Sequence, residues 1–109
     1  MTVIYRETHA DLALLIPRRI AVLGYGQMGR AFALNLRDSA FPVLIGNRDD
    51  EYAERAYRDG FEVTSIADAT GRADVLFITL PDEIAPHVYL QEIAFGLQPG
   101  DVLVFASGY

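Results

Sequence analysis

Three glycines stand within six residues directly after a short apolar run, and this arrangement constrains the fold more than any other feature. Gly24, Gly26 and Gly29 follow the run Ile20–Leu23. Glycine loses more backbone entropy on ordering than any other residue, so it is disfavoured inside helices and strands. Apolar residues then recur at helical spacing over residues 28–37. The stretch therefore predicts a buried strand, a tight turn and a helix in immediate succession.

Strand and helix patterns alternate along the rest of the chain. The predicted strands, all short and mostly apolar, are residues 20–23, 43–45, 61–63, 75–80 and 102–106. The predicted helical segments, each lying between two strands, are residues 28–37, 49–59, 66–71 and a helix that starts at 81–83. Strands that are apolar on both faces and separated by helices form a parallel sheet covered on both sides. Right-handed crossovers then predict the α/β class, a doubly wound parallel sheet of the Rossmann type with strand order 3-2-1-4-5.

The glycine spacing, in this strand–turn–helix context, is typical of a dinucleotide-binding fingerprint. Gly24 permits the tight turn out of the strand, Gly26 lets a pyrophosphate approach the backbone, and Gly29 lets the helix pack closely on the sheet. The helix N-terminus offers N–H groups and a partial positive charge to the phosphates. The alternative is a glycine-rich turn that binds no ligand. The flanking strand and helix favour the interpretation as a nucleotide-binding loop.

The residues after the second predicted strand bear on which dinucleotide binds. NAD-selective folds usually place an acidic residue there for the ribose 2′-hydroxyl, whereas this chain has Asn47 and Arg48. An arginine pairs well with a 2′-phosphate, which favours NADP. Asp49 and Asp50 follow and would repel that phosphate. One of them can instead serve the ribose of NAD, or both simply favour the start of the next helix. NADP is the expected cofactor and NAD is the alternative.

Composition excludes several classes of function. The net charge of −6 argues against binding to nucleic acid or to an anionic membrane surface. The chain has no cysteine, which excludes a disulfide framework and a thiolate metal site. Its early apolar stretch at residues 12–16 is too short for a signal-peptide core or a membrane span. We expect a cytoplasmic protein with a dinucleotide-binding domain at residues 20–109 and an N-terminal extension at residues 1–19, where residues 11–15 form a helical turn.

Three segments together resemble ketol-acid reductoisomerase, also called acetohydroxy-acid isomeroreductase. They are "ADLALLIPRRIAVLGYGQMGRAFALNLRDS", residues 60–63 and "LPDEIAPHVYLQEIAFGLQPGDVLVFASGY". The resemblance runs from about Ala10 onward, but it covers only the N-terminal Rossmann part of that enzyme. It implies NADPH- and magnesium-dependent conversion of 2-acetolactate-type substrates to 2,3-dihydroxy acids in branched-chain amino-acid biosynthesis.

The resemblance also implies a set of cofactor contacts. The phosphate loop of the family corresponds to residues 25–28, Arg48 matches its 2′-phosphate arginine, and its cofactor-touching turn after the fourth strand corresponds to residues 81–85. Together with the glycines, the expected cofactor-binding residues are Gly24, Tyr25, Gly26, Gln27, Met28, Gly29, Arg48, Pro81, Asp82, Glu83, Ile84 and Ala85.

Several departures from the family pattern limit what the resemblance implies. Gln27 and Met28 replace a Ser-Gln pair, and acidic residues follow Arg48 where the family has serines in a longer loop. Ser107 stands where the family has a histidine considered catalytic. The family's magnesium carboxylates lie in a C-terminal helical domain outside these 109 residues, so no catalytic or metal-binding residue is expected here.

A truncated relative of the imine and 6-phosphogluconate reductases, suggested by Asn47 and Arg48, fits the Leu-Pro-Asp-Glu turn at residues 80–83 less well. Two main interpretations of the chain remain open. It is the cofactor half of the enzyme, completed by a C-terminal helical domain or a partner chain. Alternatively, it is a stand-alone nucleotide-binding or regulatory module without its own reaction. A homo-oligomer is compatible with either.

Overall fold

A computed structural model describes residues 3–6, 19–79 and 89–105. The described strands are β1 (Val3–Arg6), β2 (Ile20–Leu23), β3 (Val43–Gly46), β4 (Glu62–Thr64), β5 (Val75–Ile78) and β6 (Val102–Phe105). The described helices are α1 (Gln27–Asp38), α2 (Glu51–Arg58) and α3 (Ile66–Arg72), with a π-helical turn at Tyr89–Ile93 and a 3-10 turn at Ala94–Gly96.

All six of these strands lie in one parallel sheet in the order β1-β6-β5-β2-β3-β4. Without β1, this is the order 3-2-1-4-5 that the sequence predicts, and the predicted fold class is confirmed. The order reverses between β2 and β5, so the carboxyl ends of these two strands form the switch point where ligands bind in such sheets.

The N-terminal extension contributes β1, a parallel edge strand that pairs with β6 from Val3 opposite Val102 to Arg6 opposite Phe105. Sequence analysis does not predict this strand, because four residues near a terminus carry too little periodicity to indicate a strand. The helical turn expected at residues 11–15 lies outside the described residues.

The core consists of two apolar layers, one on each face of the sheet. β2 is buried at all four positions, and its successive side chains point to opposite faces. Ile20 and Val22 pack with α1, α2 and β6 residues on one side, whereas Ala21 and Leu23 pack with α3 and the π-helical turn on the other. This double burial holds the end of β2, and with it the glycine turn, in a fixed position.

Within the described residues, the predicted element boundaries differ from the observed ones by at most two residues, and those of β2 are the same. α2 begins at Glu51 because Asp50 is its N-cap and accepts the N–H groups of Tyr52 and Ala53. The helix expected to start at 81–83 falls in a part of the chain that the structure does not describe. Among the described helices, none is long and apolar enough to cross a membrane.

Candidate cofactor-binding site

The glycine turn leaves β2 at the carboxyl edge of the sheet. Gly24 adopts a φ of +95°, a left-handed conformation that favours glycine. Its N–H donates to the Gly46 carbonyl oxygen at 2.8 Å, at the end of the neighbouring strand β3. The Thr79 hydroxyl lies 2.7 Å from the Gly24 carbonyl oxygen and 2.9 Å from that of Leu23. The turn is therefore tied to both strands that flank β2.

Gly29 lies where α1 packs tightly against this turn. A Cβ at Gly29 would lie 1.9 Å from the Gly24 carbonyl oxygen and 2.7 Å from the Thr79 hydroxyl oxygen. No side chain fits such a space without moving the backbone. The prediction that Gly29 lets the helix pack closely is confirmed.

Gly26 has the opposite environment. A Cβ at Gly26 would meet no described atom within 4 Å. Gly26 is the N-cap of α1 and makes no side-chain capping bond, and its carbonyl oxygen accepts the N–H of Arg30. The first N–H groups of a helix lack intrahelical partners. Open space beside the backbone and an uncapped helix N-terminus together fit a pyrophosphate, because its oxygens need such donors.

Tyr25 lies between these glycines, but its side chain points into the core. The side chain is fully buried, and its hydroxyl donates to the Asp59 carboxylate at 2.6 Å. Its ring meets the ring of Phe61 edge-on, with the centroids 5.8 Å apart. Burial and the neighbouring Asp59 carboxylate raise the pKa of Tyr25, so the hydroxyl stays protonated. A contact between Tyr25 and a cofactor would therefore run through its backbone.

Asp59 joins α1 to the turn that precedes β4. Arg30 donates from its Nε to the Asp59 carboxylate at 2.9 Å, and Arg37 donates to the Asp59 carbonyl oxygen. The hydrogen bonds from Arg30 and Tyr25 lower the pKa of Asp59, so it remains a carboxylate. The Arg37 guanidinium also lies 4.5 Å from the centre of the Phe61 ring. These contacts hold both ends of α1, through Arg30 and Arg37, against the rest of the domain.

The loop at residues 47–50, called the ribose loop below, follows β3 at the same edge of the sheet. Arg48 is exposed, and its side chain makes no hydrogen bond or ion pair with any residue the structure describes. Asp50 is occupied as the cap of α2 and also accepts a hydrogen bond from Asn47 Nδ2 at 2.9 Å. The sequence left open whether Asp49 and Asp50 meet the ribose or only favour the start of the next helix. The structure shows Asp50 in the second role. Asp49 is exposed.

A groove of about 470 Å³ opens beside the ribose loop. Its walls are the ribose loop, α2, the end of β4, the start of α3 and the π-helical turn. The lining residues are Asn47, Arg48, Asp49, Ala53, Val63, Thr64, Ser65, Ile66 and Glu92. The groove is roomy enough for part of a nucleotide.

The structure brings the glycine loop and Arg48 to one edge of the sheet, because β2 and β3 are parallel neighbours. Pro81, Asp82, Glu83, Ile84, Ala85 and Ser107 lie outside the described residues. Two residues outside the expected cofactor-binding set, Thr79 and Asn47, contact the glycine turn directly. The only sequence signal for them is a polar residue just after an apolar strand. Within the described ranges, no group of three His, Asp or Glu residues is placed to hold a metal ion.

Comparison with known proteins decides the family. The family model of the acetohydroxy acid isomeroreductase NADPH-binding domain matches residues 14–109. The chain belongs to this family. The resemblance to ketol-acid reductoisomerase that the sequence predicts is confirmed.

Individual relatives agree with this assignment. Ketol-acid reductoisomerase (NADP(+)) of Caldivirga maquilingensis is 47% identical over 109 residues, which are 100% of this chain and 33% of that protein. The chain thus spans about a third of the length of this curated relative. The structure of an NADH-preferring ketol-acid reductoisomerase from an uncultured archean superimposes with a TM-score of 0.84 at 38% identity, over 91% of this chain and 32% of that one.

The fold also occurs outside this family. An imine reductase from Myxococcus stipitatus, solved as the V8 variant in complex with NAD+, has a TM-score of 0.75 at 21% identity. The match covers 86% of this chain and 33% of the imine reductase chain. At this identity the likeness shows the fold alone.

Proposed function

We propose that this ketol-acid reductoisomerase domain holds NADPH across the carboxyl ends of β2, β3 and β5. The observation that carries the proposal is the open position at Gly26 beside the uncapped start of α1. The N–H groups of Gln27 and Met28 would receive the pyrophosphate there, since the first turn of a helix has donors to spare. Residues 81–85 follow β5 and would meet the nicotinamide half of the cofactor.

Arg48 would hold the 2′-phosphate. It stands on the ribose loop beside the groove, and its guanidinium is exposed. Guanidinium groups bind phosphate in a bidentate manner. Asp50 Oδ1 is engaged as a helix cap, whereas Asp49 is exposed, and Asp49 is the acid we expect to oppose NADPH or to serve the ribose of NAD. One similar protein is named for NADP(+) and another as NADH-preferring, which makes cofactor choice the property to measure.

The reaction and the remaining partners carry over from the family as proposals. The substrate would be a 2-acetolactate-type acid, and a C-terminal helical domain or a partner chain would complete the site. NADPH supplies the hydride when it is bound, and the residues of this chain bind and orient it. Since the described residues do not fit a magnesium site, no metal-dependent step is assigned to them. A cytoplasmic location and a homo-oligomer stay predictions.

The first test replaces Gly26 with valine. The branched side chain would fill the open space that the pyrophosphate needs, while the absence of close neighbours leaves the fold intact. Calorimetric titration of Gly26→Val with NADPH should show no measurable binding. Gly71→Val is the matched control, because Gly71 also has open space around its missing Cβ but lies in α3. Unchanged NADPH affinity in a folded Gly26→Val chain would refute the proposed site.

The second test addresses Arg48. Removing a hydrogen-bonded charge partner costs about 1.5–3 kcal/mol, so Arg48→Ala should weaken NADPH binding by about that amount. NADH lacks the 2′-phosphate and should change much less. Arg58→Ala removes an equal charge from the exposed end of α2 and serves as the control. If the unmodified chain binds NADH more tightly than NADPH, the role given to Arg48 is wrong.

A further inference from the structure

We propose that Asn47 is a positioning residue that couples the glycine loop to the ribose loop. This goes beyond the cofactor site proposed above and rests on it. One carboxamide makes all the contacts involved. Its Oδ1 accepts the N–H of Tyr25 at 2.9 Å, while its Nδ2 donates to the Arg48 carbonyl oxygen at 2.8 Å and to the Asp50 carboxylate at 2.9 Å.

The Tyr25 end of this bridge is a fixed point. The Tyr25 side chain is fully buried, bonded to Asp59 and packed against Phe61. Its backbone N–H therefore has a position set by the core. Asn47 is half-buried and bonds to that N–H across 22 residues of sequence. The ribose loop is also tied to β4, because the Asn47 backbone N–H donates to the Thr64 carbonyl oxygen at 3.0 Å. The side-chain bond to Tyr25 is the contact that ties it to the glycine loop.

The other end of the bridge holds the part of the loop that would meet the 2′-phosphate. The Arg48 carbonyl oxygen accepts from Asn47 Nδ2 and from the Asp50 N–H, so Asn47 shares in fixing the peptide that follows Arg48. The bond to the Asp50 carboxylate joins Asn47 to the cap of α2. The direction in which the Arg48 side chain leaves the backbone therefore depends on Asn47. No contact between Asn47 and the cofactor is required.

A carboxamide is the chemical group that this bridge needs. It offers an acceptor and two donor hydrogens on one short planar group. A carboxylate would still accept from Tyr25, but it could not donate, and it would face the Asp50 carboxylate. An aliphatic side chain would leave the Tyr25 N–H without this partner.

Coupling matters because a dinucleotide must reach both loops at once. The pyrophosphate would bind at residues 26–29 and the 2′-phosphate at Arg48, and the ligand itself fixes the separation of these groups. Holding the two loops in register before binding reduces the ordering cost. Loss of Asn47 should therefore weaken both dinucleotides, and NADPH more than NADH, because only NADPH uses Arg48.

Calorimetric titration of Asn47→Ala with both cofactors tests the inference. We expect NADPH affinity to fall about tenfold, the effect of one lost hydrogen-bonded partner, and NADH affinity to fall less. Asn35→Ala removes an exposed asparagine from α1 and should change neither value. In a chain that already carries Arg48→Ala, adding Asn47→Ala should not lower the ratio of NADPH to NADH affinity further, since Asn47 acts on that ratio through Arg48.

Amide hydrogen exchange gives a second readout that needs no ligand. The Tyr25 and Tyr52 amides should be protected in the unmodified chain and exchange faster together in Asn47→Ala, because both depend on the bridge. If Asn47→Ala does not fold, Asn47→Ser takes its place, since a serine hydroxyl is too short to span the loops. Asn47→Ser should likewise lose more affinity for NADPH than for NADH.

Two results would overturn the coupling alone. They are equal losses for the two cofactors, and unchanged affinity in a folded Asn47 variant. Failure of the unmodified chain to bind either dinucleotide would instead remove the proposed cofactor site together with this inference.

Discussion

The glycine loop and the ribose loop lie side by side at one edge of the sheet, but they are held in different ways. The glycine loop is fixed by the interior: Gly24 is bonded to β3 and to Thr79, Tyr25 is buried, and Gly29 has no room for a side chain. The ribose loop is largely exposed, and it is held by the polar side chains of Asn47 and Asp50 together with one backbone bond to β4.

This difference separates two properties of a nucleotide-binding domain. The pyrophosphate, which all dinucleotides share, would meet a loop whose neighbouring residues Tyr25 and Gly29 are packed into the domain. The parts that would meet the 2′-position, which differs between cofactors, are surface side chains. Substitutions at Gly24 or Gly29 should therefore change stability and the binding of both cofactors, whereas substitutions of the exposed Arg48 and Asp49 should mainly change the choice between NADPH and NADH.

The largest effect is expected at Gly29. An alanine there would place its Cβ 1.9 Å from the Gly24 carbonyl oxygen, a contact that neither backbone can avoid without moving. Overpacking a core commonly costs about 1–3 kcal/mol. Because this clash involves the backbone, Gly29→Ala should lower the free energy of unfolding by more than about 3 kcal/mol. Gly71→Ala, in open space on α3, should instead stabilise the chain by about 0.5 kcal/mol. Similar denaturant midpoints for the two variants would show that the glycine loop is not fixed by packing.

An intermediate effect is expected at Thr79. Valine has nearly the same shape but cannot bond to the Leu23 and Gly24 carbonyl oxygens, so Thr79→Val should lower the free energy of unfolding by about 1–3 kcal/mol. NADPH and NADH affinities should fall by similar factors, because both use the glycine turn. Thr70→Val is the matched control. Thr70 is also buried, but its hydroxyl bonds within α3 to Ile66. Equal binding losses in the two variants would contradict the role given to Thr79.

The smallest effect is expected at Asp49, on the ribose loop. Asp49→Asn removes an exposed charge that would face a 2′-phosphate, so the affinity for NADPH should rise relative to NADH by about 0.2–1 kcal/mol. The gain should shrink at high salt because exposed charges are screened, and thermal stability should not change. Asp38→Asn makes the same charge change at the far end of α1. An affinity ratio that responds equally in both variants would remove Asp49 from the site.

The same contrast explains what the sequence could predict. The turn at Gly24, the packing of Gly29 and the strand order follow from local spacing, because glycine placement and apolar runs record them directly. The sequence does not predict β1, because four residues carry too little periodicity and its partner β6 lies almost the whole chain away. Thr79 was missed for a similar reason, since its bond to Leu23 spans 56 residues.

Tyr25 shows the limit of motif position as a guide. Its place between two glycines suggested a ligand contact, yet its side chain turns inward to Asp59, 34 residues further on. Local pattern cannot indicate such a partner, because the contact exists only once α1 has packed beside the turn that follows α2. Asn47 was noted only as a neighbour of Arg48, and its bond to Tyr25 likewise appears only in the folded chain.

Backbone amide chemical shifts, followed during titration of the isotopically labelled chain with NADPH, test the central claim most directly. Among the residues that the structure describes, the account predicts that the shift changes concentrate at residues 26–29 and 47–50, the two loops at the carboxyl edge of the sheet. A second groove, at the amino edge, is lined in part by Arg19 and Arg72 and should stay unperturbed. Changes confined to that groove, or no changes at saturating NADPH, would contradict the account.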